Sequence, residues 1–211
     1  MECDVFLISI GRSPNTKGLA LEKADVKVLK NGMIETNDKW QSVSQPHIYG
    51  VGDCVKGTML AHKAEEEAIA AADHILHGKG HVNYDCIPGV IYTHPEVAWV
   101  GLSEVQAKEQ GIDYEKSIFP WKASGRSLSL GREEGLTKMI FDKKTHKVLG
   151  GGIVGSRAGD LISEIALAIE MGCEAEDIAL TIHPHPTVSE TIAQATEIFE
   201  GTITDLPNTK K

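Results

Sequence analysis

Val90-Ile91-Tyr92-Thr93-His94-Pro95-Glu96-Val97-Ala98-Trp99-Val100-Gly101 reads as a strand, a break at Pro95 and a second strand. Proline has no N–H for a ladder, so it sits where pairing stops. Ser103 then serves as the N-cap of a helix that ends at Gly111, and Ser117-Ile118-Phe119-Pro120-Trp121 gives another strand. Ser124-Gly125-Arg126-Ser127 reads as a polar loop. Gly135 to Phe141 and Lys147 to Val154 pair as a hairpin around Asp142-Lys143-Lys144-Thr145. Two amphipathic helices follow. Leu161, Ile165, Ala168 and Ile169 share one face before Gly172, and Val188, Ile192, Ala195 and Phe199 share another before Gly201. Strands followed by packed helices imply an α+β domain, an antiparallel sheet with packed helices and one face available to a partner.

Gly150-Gly151-Gly152-Ile153-Val154-Gly155 matches G-x-G-x-x-G, a dinucleotide-binding pattern. The strand before it, Thr145 to Leu149, is half polar, as suits a hairpin arm and not the doubly buried first strand of a Rossmann unit. Ile153 and Val154 continue a strand better than they form a turn, so this stretch is read as sheet.

Upstream, Cys3-Asp4-Val5-Phe6-Leu7-Ile8-Ser9-Ile10 is nearly continuous and apolar, the pattern of a strand buried on both faces in a parallel sheet. Its sheet partners must then lie elsewhere. Residues 19 to 44 alternate short helical and strand signals, with a turn at Asn31-Gly32 before the strand Met33 to Thr36. His47-Ile48-Tyr49-Gly50-Val51-Gly52-Asp53-Cys54 reads as a strand ending in glycines and an acid. There the backbone can approach a ligand closely, and a carboxylate can accept hydrogen bonds from sugar-like hydroxyls. Met59-Leu60-Ala61-His62 leads into Lys63 to Asp73, rich in strong helix formers with acids in the first turns.

The other informative stretch is Ile182-His183-Pro184-His185-Pro186-Thr187-Val188-Ser189-Glu190. Histidine titrates nearest neutral pH, and the prolines hold both imidazoles on extended backbone. His185 can act as general acid/base with Glu190 orienting a ring nitrogen. Thr187 to Glu190 is also a capping box for the helix that follows, with Glu190 hydrogen-bonded to the Thr187 amide. One carboxylate is not expected to serve both tasks fully. A zinc site built on His183 and His185 is disfavoured, because the two side chains point to opposite sides of an extended segment.

His-Pro-His-Pro-Thr-Val-Ser-Glu resembles the C-terminal active-site segment of the dihydrolipoamide dehydrogenases, flavin-dependent disulfide oxidoreductases. His94-Pro-Glu-Val-Ala-Trp-Val-Gly carries the same likeness, which covers essentially the whole chain. The resemblance implies that His185 is the acid/base of the thiol-disulfide half reaction and Glu190 its orienting carboxylate. It also implies that Asp53 binds the ribityl chain of FAD, that Met59, Leu60, Ala61 and His62 lie against the flavin, and that Gly11 lies beside the NAD. Residues 1–14 are then the end of an α/β NAD-binding domain, 15–84 a central segment contributing to the FAD site, and 85–211 the dimerisation, or interface, domain. The implied partners are a second copy in a homodimer and the lipoyl domains of 2-oxo acid dehydrogenase complexes. Leu60-Ala61-His62 and the doubled His-Pro favour dihydrolipoamide over glutathione, the substrate of the related glutathione reductases.

Composition sets limits on these readings. The chain has 211 residues, 41% hydrophobic and 24% charged, with a net charge of -9. Such a balance suits a soluble globular protein and argues against a nucleic-acid or anionic-membrane partner. No apolar run reaches the length of a membrane span, and no signal-peptide pattern opens the chain. The cytoplasm is therefore the expected compartment, with the mitochondrial matrix as the alternative. Cys3, Cys54, Cys86 and Cys173 are too scattered for a redox pair or a zinc site. A disulfide oxidoreductase needs a close dithiol, so this chain reads as the C-terminal part of the enzyme and is expected to be inactive alone. The alternative is a non-catalytic dimerisation module that binds a partner enzyme.

Overall fold

Alternating apolar residues along 136–155 form the centre of a five-stranded antiparallel sheet. In this computed structural model, which describes residues 2–208, β4 (Leu136–Asp142) and β5 (Val148–Gly155) are the expected hairpin. Its turn is closed by Asp142 Oδ1, which accepts from the backbone N–H groups of Lys144 and Thr145. β2 (Glu96–Gly101) pairs with β5, β1 (Gly89–Ile91) with β2, and β3 (Tyr114–Pro120) with β4. The strand order is β1-β2-β5-β4-β3. The break at Pro95 and the Ser103 cap are both present: Ser103 and Gln106 form a capping box on α2 (Glu104–Glu109).

Four further helices complete this unit: α3 (Gly125–Leu130), α4 (Ala158–Glu170), α5 (Ala175–Leu180) and α6 (Glu190–Glu200). α4 packs on β2 and β5, and α6 on β3 and β4. Phe119, Trp121, Met139, Phe141 and Ile153 from the sheet side meet Ile162, Ile165, Ile192 and Phe199 from the helices. Phe141 and Phe199 stack with ring centroids 4.3 Å apart. The glycine run at 150–155 lies in β5, and a Cβ on Gly151 would stand 2.9 Å from Ile165 Cδ1. The glycine lets α4 lie close on the sheet.

Two expectations for this unit change. Residues 124–127 are not a loop: Ser124 caps α3 by accepting from the Ser127 N–H, a use of serine that loop and helix start share. α5 has no counterpart among the expected elements, and it is closed by a reciprocal box between Glu174 and Asp177.

The chain divides into two compact units between Val82 and Asn83. In the first, the strand expected over Cys3 to Ile10 does not form, and Val5, Phe6, Leu7 and Ile10 are exposed. A strand exists only by pairing, and no ladder within this unit takes this one up. The strands expected at 33–36 and 47–54 shrink to isolated bridges, Val28 with Ile34, Thr36 with Ser42, and Gln41 with Tyr49. The Asn31-Gly32 turn is present. α1 (Ala61–His77) is longer than expected and ends at Gly78 in the left-handed conformation.

Candidate functional site

The His185 segment leads directly into α6. His185 Nδ1 lies 2.8 Å from Glu190 Oε1, while Glu190 Oε2 accepts from the Thr187 N–H at 2.7 Å. The expectation that one carboxylate could not serve both tasks is therefore corrected: the two oxygens divide the work. A carboxylate can only accept, so the contact calls for a proton on Nδ1, and the neutral ring then carries its lone pair on Nε2. The His185 side chain is 79% exposed. His183 differs: its side chain is 8% exposed, Nδ1 faces the Thr181 carbonyl at 2.8 Å and Nε2 faces Glu164 Oε1 at 2.6 Å. Both of its nitrogens are occupied, which suits a structural post.

The start of α6 is tied to the core by a thread of hydroxyls that sequence reasoning missed. Trp121 Nε1–H donates to Thr137 Oγ1 at 3.0 Å, the Thr137 and Thr191 hydroxyls lie 2.8 Å apart, and Thr191 Oγ1–H donates to the Val188 carbonyl. All three side chains are fully buried. Each polar atom has a partner, so the thread fixes the segment without an unpaired group.

In the first unit, Gly52–Cys54 forms a 3₁₀ turn that presents Asp53 at the surface. Gly52 has φ +73, and a Cβ there would stand 2.9 Å from Ala64 Cβ. The turn is held from beneath by an ion pair that the sequence reading did not single out. Lys63 Nζ and Glu67 Oε1 lie 2.9 Å apart with side chains 1% and 2% exposed, and Glu67 Oε2 accepts from the Gly52 N–H at 2.7 Å. Lys63 Nζ also reaches the Gly52 and Lys56 carbonyls. Their i, i+4 spacing within the acid-rich run was the available signal.

Met59 and Leu60 are half-buried, and Ala61 and His62 form the exposed first turn of α1, whose N-cap Leu60 offers no side-chain cap. Arg12 Nη1 donates to the Met59 carbonyl at 3.4 Å and lies 3.9 Å from Asp53 Oδ2. The neighbour of Gly11, Asp53 and Met59 are thereby brought together. Gly11 itself is exposed, with nothing within 4 Å of a Cβ. All four cysteines are free. Burial, with the Glu170 carboxylate next in weight, pushes the Cys86 thiol up, so it is held as a thiol.

Among the described residues no group of three or more potential ligands could hold a metal, and no helix is long and apolar enough to cross a membrane. The family description "pyridine nucleotide-disulphide oxidoreductase, dimerisation domain" matches residues 87–196, and "pyridine nucleotide-disulphide oxidoreductase" matches residues 1–68. The dihydrolipoyl dehydrogenase of Vibrio cholerae is 53% identical over 98% of this chain and 43% of its own length. The mitochondrial dihydrolipoyl dehydrogenase of Caenorhabditis elegans is 44% identical over 92% of this chain and 39% of its own. The crystal structure of LpdA from Mycobacterium tuberculosis superposes with TM-score 0.83 at 26% identity, over 90% of this chain and 42% of that one. The chain thus spans less than half the length of the curated relatives it matches.

Proposed function

The chain belongs to the pyridine nucleotide-disulphide oxidoreductase family, and on that premise we propose that it is the C-terminal portion of a dihydrolipoyl dehydrogenase. In that enzyme a dihydrolipoyl dithiol is oxidised to the disulfide, and two electrons pass through a redox disulfide and FAD to NAD+. The observation that carries the reading is the His185–Glu190 contact. With Nδ1–H committed to Glu190, His185 Nε2 is left outward to take the thiol proton, so that the competent thiolate attacks.

FAD fits the residues around the Gly52 turn. Asp53 is a half-exposed carboxylate able to accept from ribityl hydroxyls, Gly52 leaves no room for a side chain, and α1 starts without a side-chain cap beside Met59, Leu60, Ala61 and His62. When bound, FAD supplies the two-electron relay between dithiol and NAD+. Toward NAD the chain offers Gly11 alone. The proposed boundaries remain 14/15 and 84/85, and the proposed compartment the cytoplasm, or the mitochondrial matrix in the manner of the mitochondrial relatives.

The four scattered cysteines supply no close dithiol, so the redox pair and the rest of the flavin site come from outside these 211 residues and the chain alone does not turn over. Dimerisation is supported by exposed Leu180 and Ile182, apolar side chains beside the His185 segment suited to burial against a second copy. The lipoyl domains of 2-oxo acid dehydrogenase complexes are the proposed source of substrate.

Two measurements test this. The purified chain, given FAD, NAD+ and dihydrolipoamide, is expected to show neither flavin absorbance nor NADH formation; turnover would overturn its incompleteness. In the longer enzyme, His185→Gln is expected to cut turnover by about two or more orders of magnitude while flavin stays bound. Near-normal turnover would remove His185 from the mechanism.

A further inference from the structure

Three arginines from separate stretches of the second unit line one hollow. Arg126 of α3, Arg132 beyond it and Arg157 at the start of α4 bound a cavity of about 460 Å³ together with Ser156 and Thr187. In a chain of net charge -9 this gathers positive charge against the average.

Arg132 Nε donates to Glu134, but its Nη2 is shut off from solvent and has no hydrogen-bond partner among the described residues. An N–H so covered meets no ligand in the hollow either, so Arg132 brings its charge to the site and not that N–H. Arg157 stands in the left-handed region, φ 61 and ψ 28, at the N-cap of α4, and its side chain caps nothing. Asparagine would suit both conformation and cap better. Glu96 Oε2 already accepts from the Gly159 N–H at 2.9 Å in that first turn. Neither backbone nor cap explains an arginine there, which leaves its charge.

We propose that the hollow binds a compact dianion, a phosphate group or a dicarboxylate, through Arg126, Arg132 and Arg157 with the Ser156 hydroxyl as a further donor. Glu134 offsets one of the three guanidinium charges and two remain, which sets the charge of the ligand. Guanidinium forks match both oxyanion types. Pro186, Thr187 and Val188 also line the hollow, so it borders the His185 segment, although the proposed donors include neither His185 nor Glu190.

The test is titration of the 211-residue chain with inorganic phosphate, malonate and acetate at constant ionic strength. It is followed by the amide NMR shifts of Ser156, Arg157 and Thr187 and by the melting temperature. Phosphate or malonate is expected to bind saturably and raise the melting temperature, and acetate to do neither; the stronger of the two dianions identifies the source. Arg126→Gln and Arg157→Asn should each weaken that binding about tenfold. Because asparagine suits the Arg157 backbone, Arg157→Asn should melt no lower than the wild type without ligand, which separates loss of the site from loss of the fold. Absence of saturable binding, acetate binding as tightly as the dianions, or indifference to both substitutions would each overturn the proposal.

Discussion

Glu67 gives Oε1 to Lys63 Nζ and Oε2 to the Gly52 N–H; Glu190 repeats the arrangement with His185 Nδ1 and the Thr187 N–H. Each carboxylate joins a basic side chain to a backbone turn, and each turn carries a residue proposed to work on a ligand. The two differ in solvent. Lys63 and Glu67 are sealed, whereas the imidazole of His185 stands in the open. Both oxygens of Glu67 and the Lys63 head are spent on shape, so the first pair can only position Asp53. The second leaves one ring nitrogen over, and that surplus is what an acid/base needs.

The sharpest way to break this comparison is Glu67→Gln. It leaves the Lys63 charge buried without its counter-ion, which should cost about 3–5 kcal/mol, a large share of a domain's stability. Denaturant unfolding followed by the fluorescence of Trp40, a buried residue of the first unit, measures it. Adding Lys63→Met removes the stranded charge while the introduced amide oxygen still accepts from the Gly52 N–H, so the double variant should recover much of the loss. If Glu67→Gln costs less than about 1 kcal/mol, the pair does not clamp the turn.

Glu104 extends the comparison to a carboxylate with no backbone partner. Oε2 accepts from Lys116 at 2.8 Å and Tyr114 at 3.1 Å, and Oε1 contacts Lys138. The Lys116 and Lys138 hydrogen bonds hold its carboxyl down to about 2. A depressed carboxyl stabilises the fold above its ordinary range and loses that contribution as pH falls from about 4.5 toward 2. Discounted for solvent screening, the loss is about 1–2 kcal/mol. Glu197 acts in the opposite sense: burial, with Asp205 next, raises its carboxyl, so protonation favours the folded form there. Comparing acid melts of the wild type and Glu104→Gln isolates the Glu104 part. Equal slopes between pH 5 and 2 would show that the two lysines add nothing.

The second unit is legible in the sequence because period-two strands, caps and glycine stops are local signals, as at 90–101 and at Ser103. Residues 124–127 mislead because a capping serine and a loop serine look alike until the helix is seen. The apolar run at 5–10 reads as a buried strand because hydrophobicity reports a wish for a partner and not its presence. At the site, the spacing of His185 and Glu190 is visible, but the division of labour between two carboxylate oxygens is a matter of ångströms. The i, i+4 spacing of Lys63 and Glu67 is likewise visible in the sequence but their burial is not, because side-chain depth depends on what packs over it.

Glu190→Gln gives the finest test. The amide oxygen can still accept from the Thr187 N–H, so the start of α6 should keep its cap and the melting point should move by no more than about 1 kcal/mol in equivalent stability. The amide NH2 then faces His185 Nδ1 and can only donate, which forces the imidazole proton to Nε2, the nitrogen proposed to accept from the thiol. Nitrogen-15 NMR of the 211-residue chain should show His185 changing tautomer while His183, held by Glu164 and Thr181, stays as it was. In the longer enzyme the same substitution should lower turnover about ten- to a hundredfold, less than His185→Gln. A stability loss without a tautomer change would make Glu190 a cap and nothing more, and the likeness between the two glutamates would then be one of structure alone.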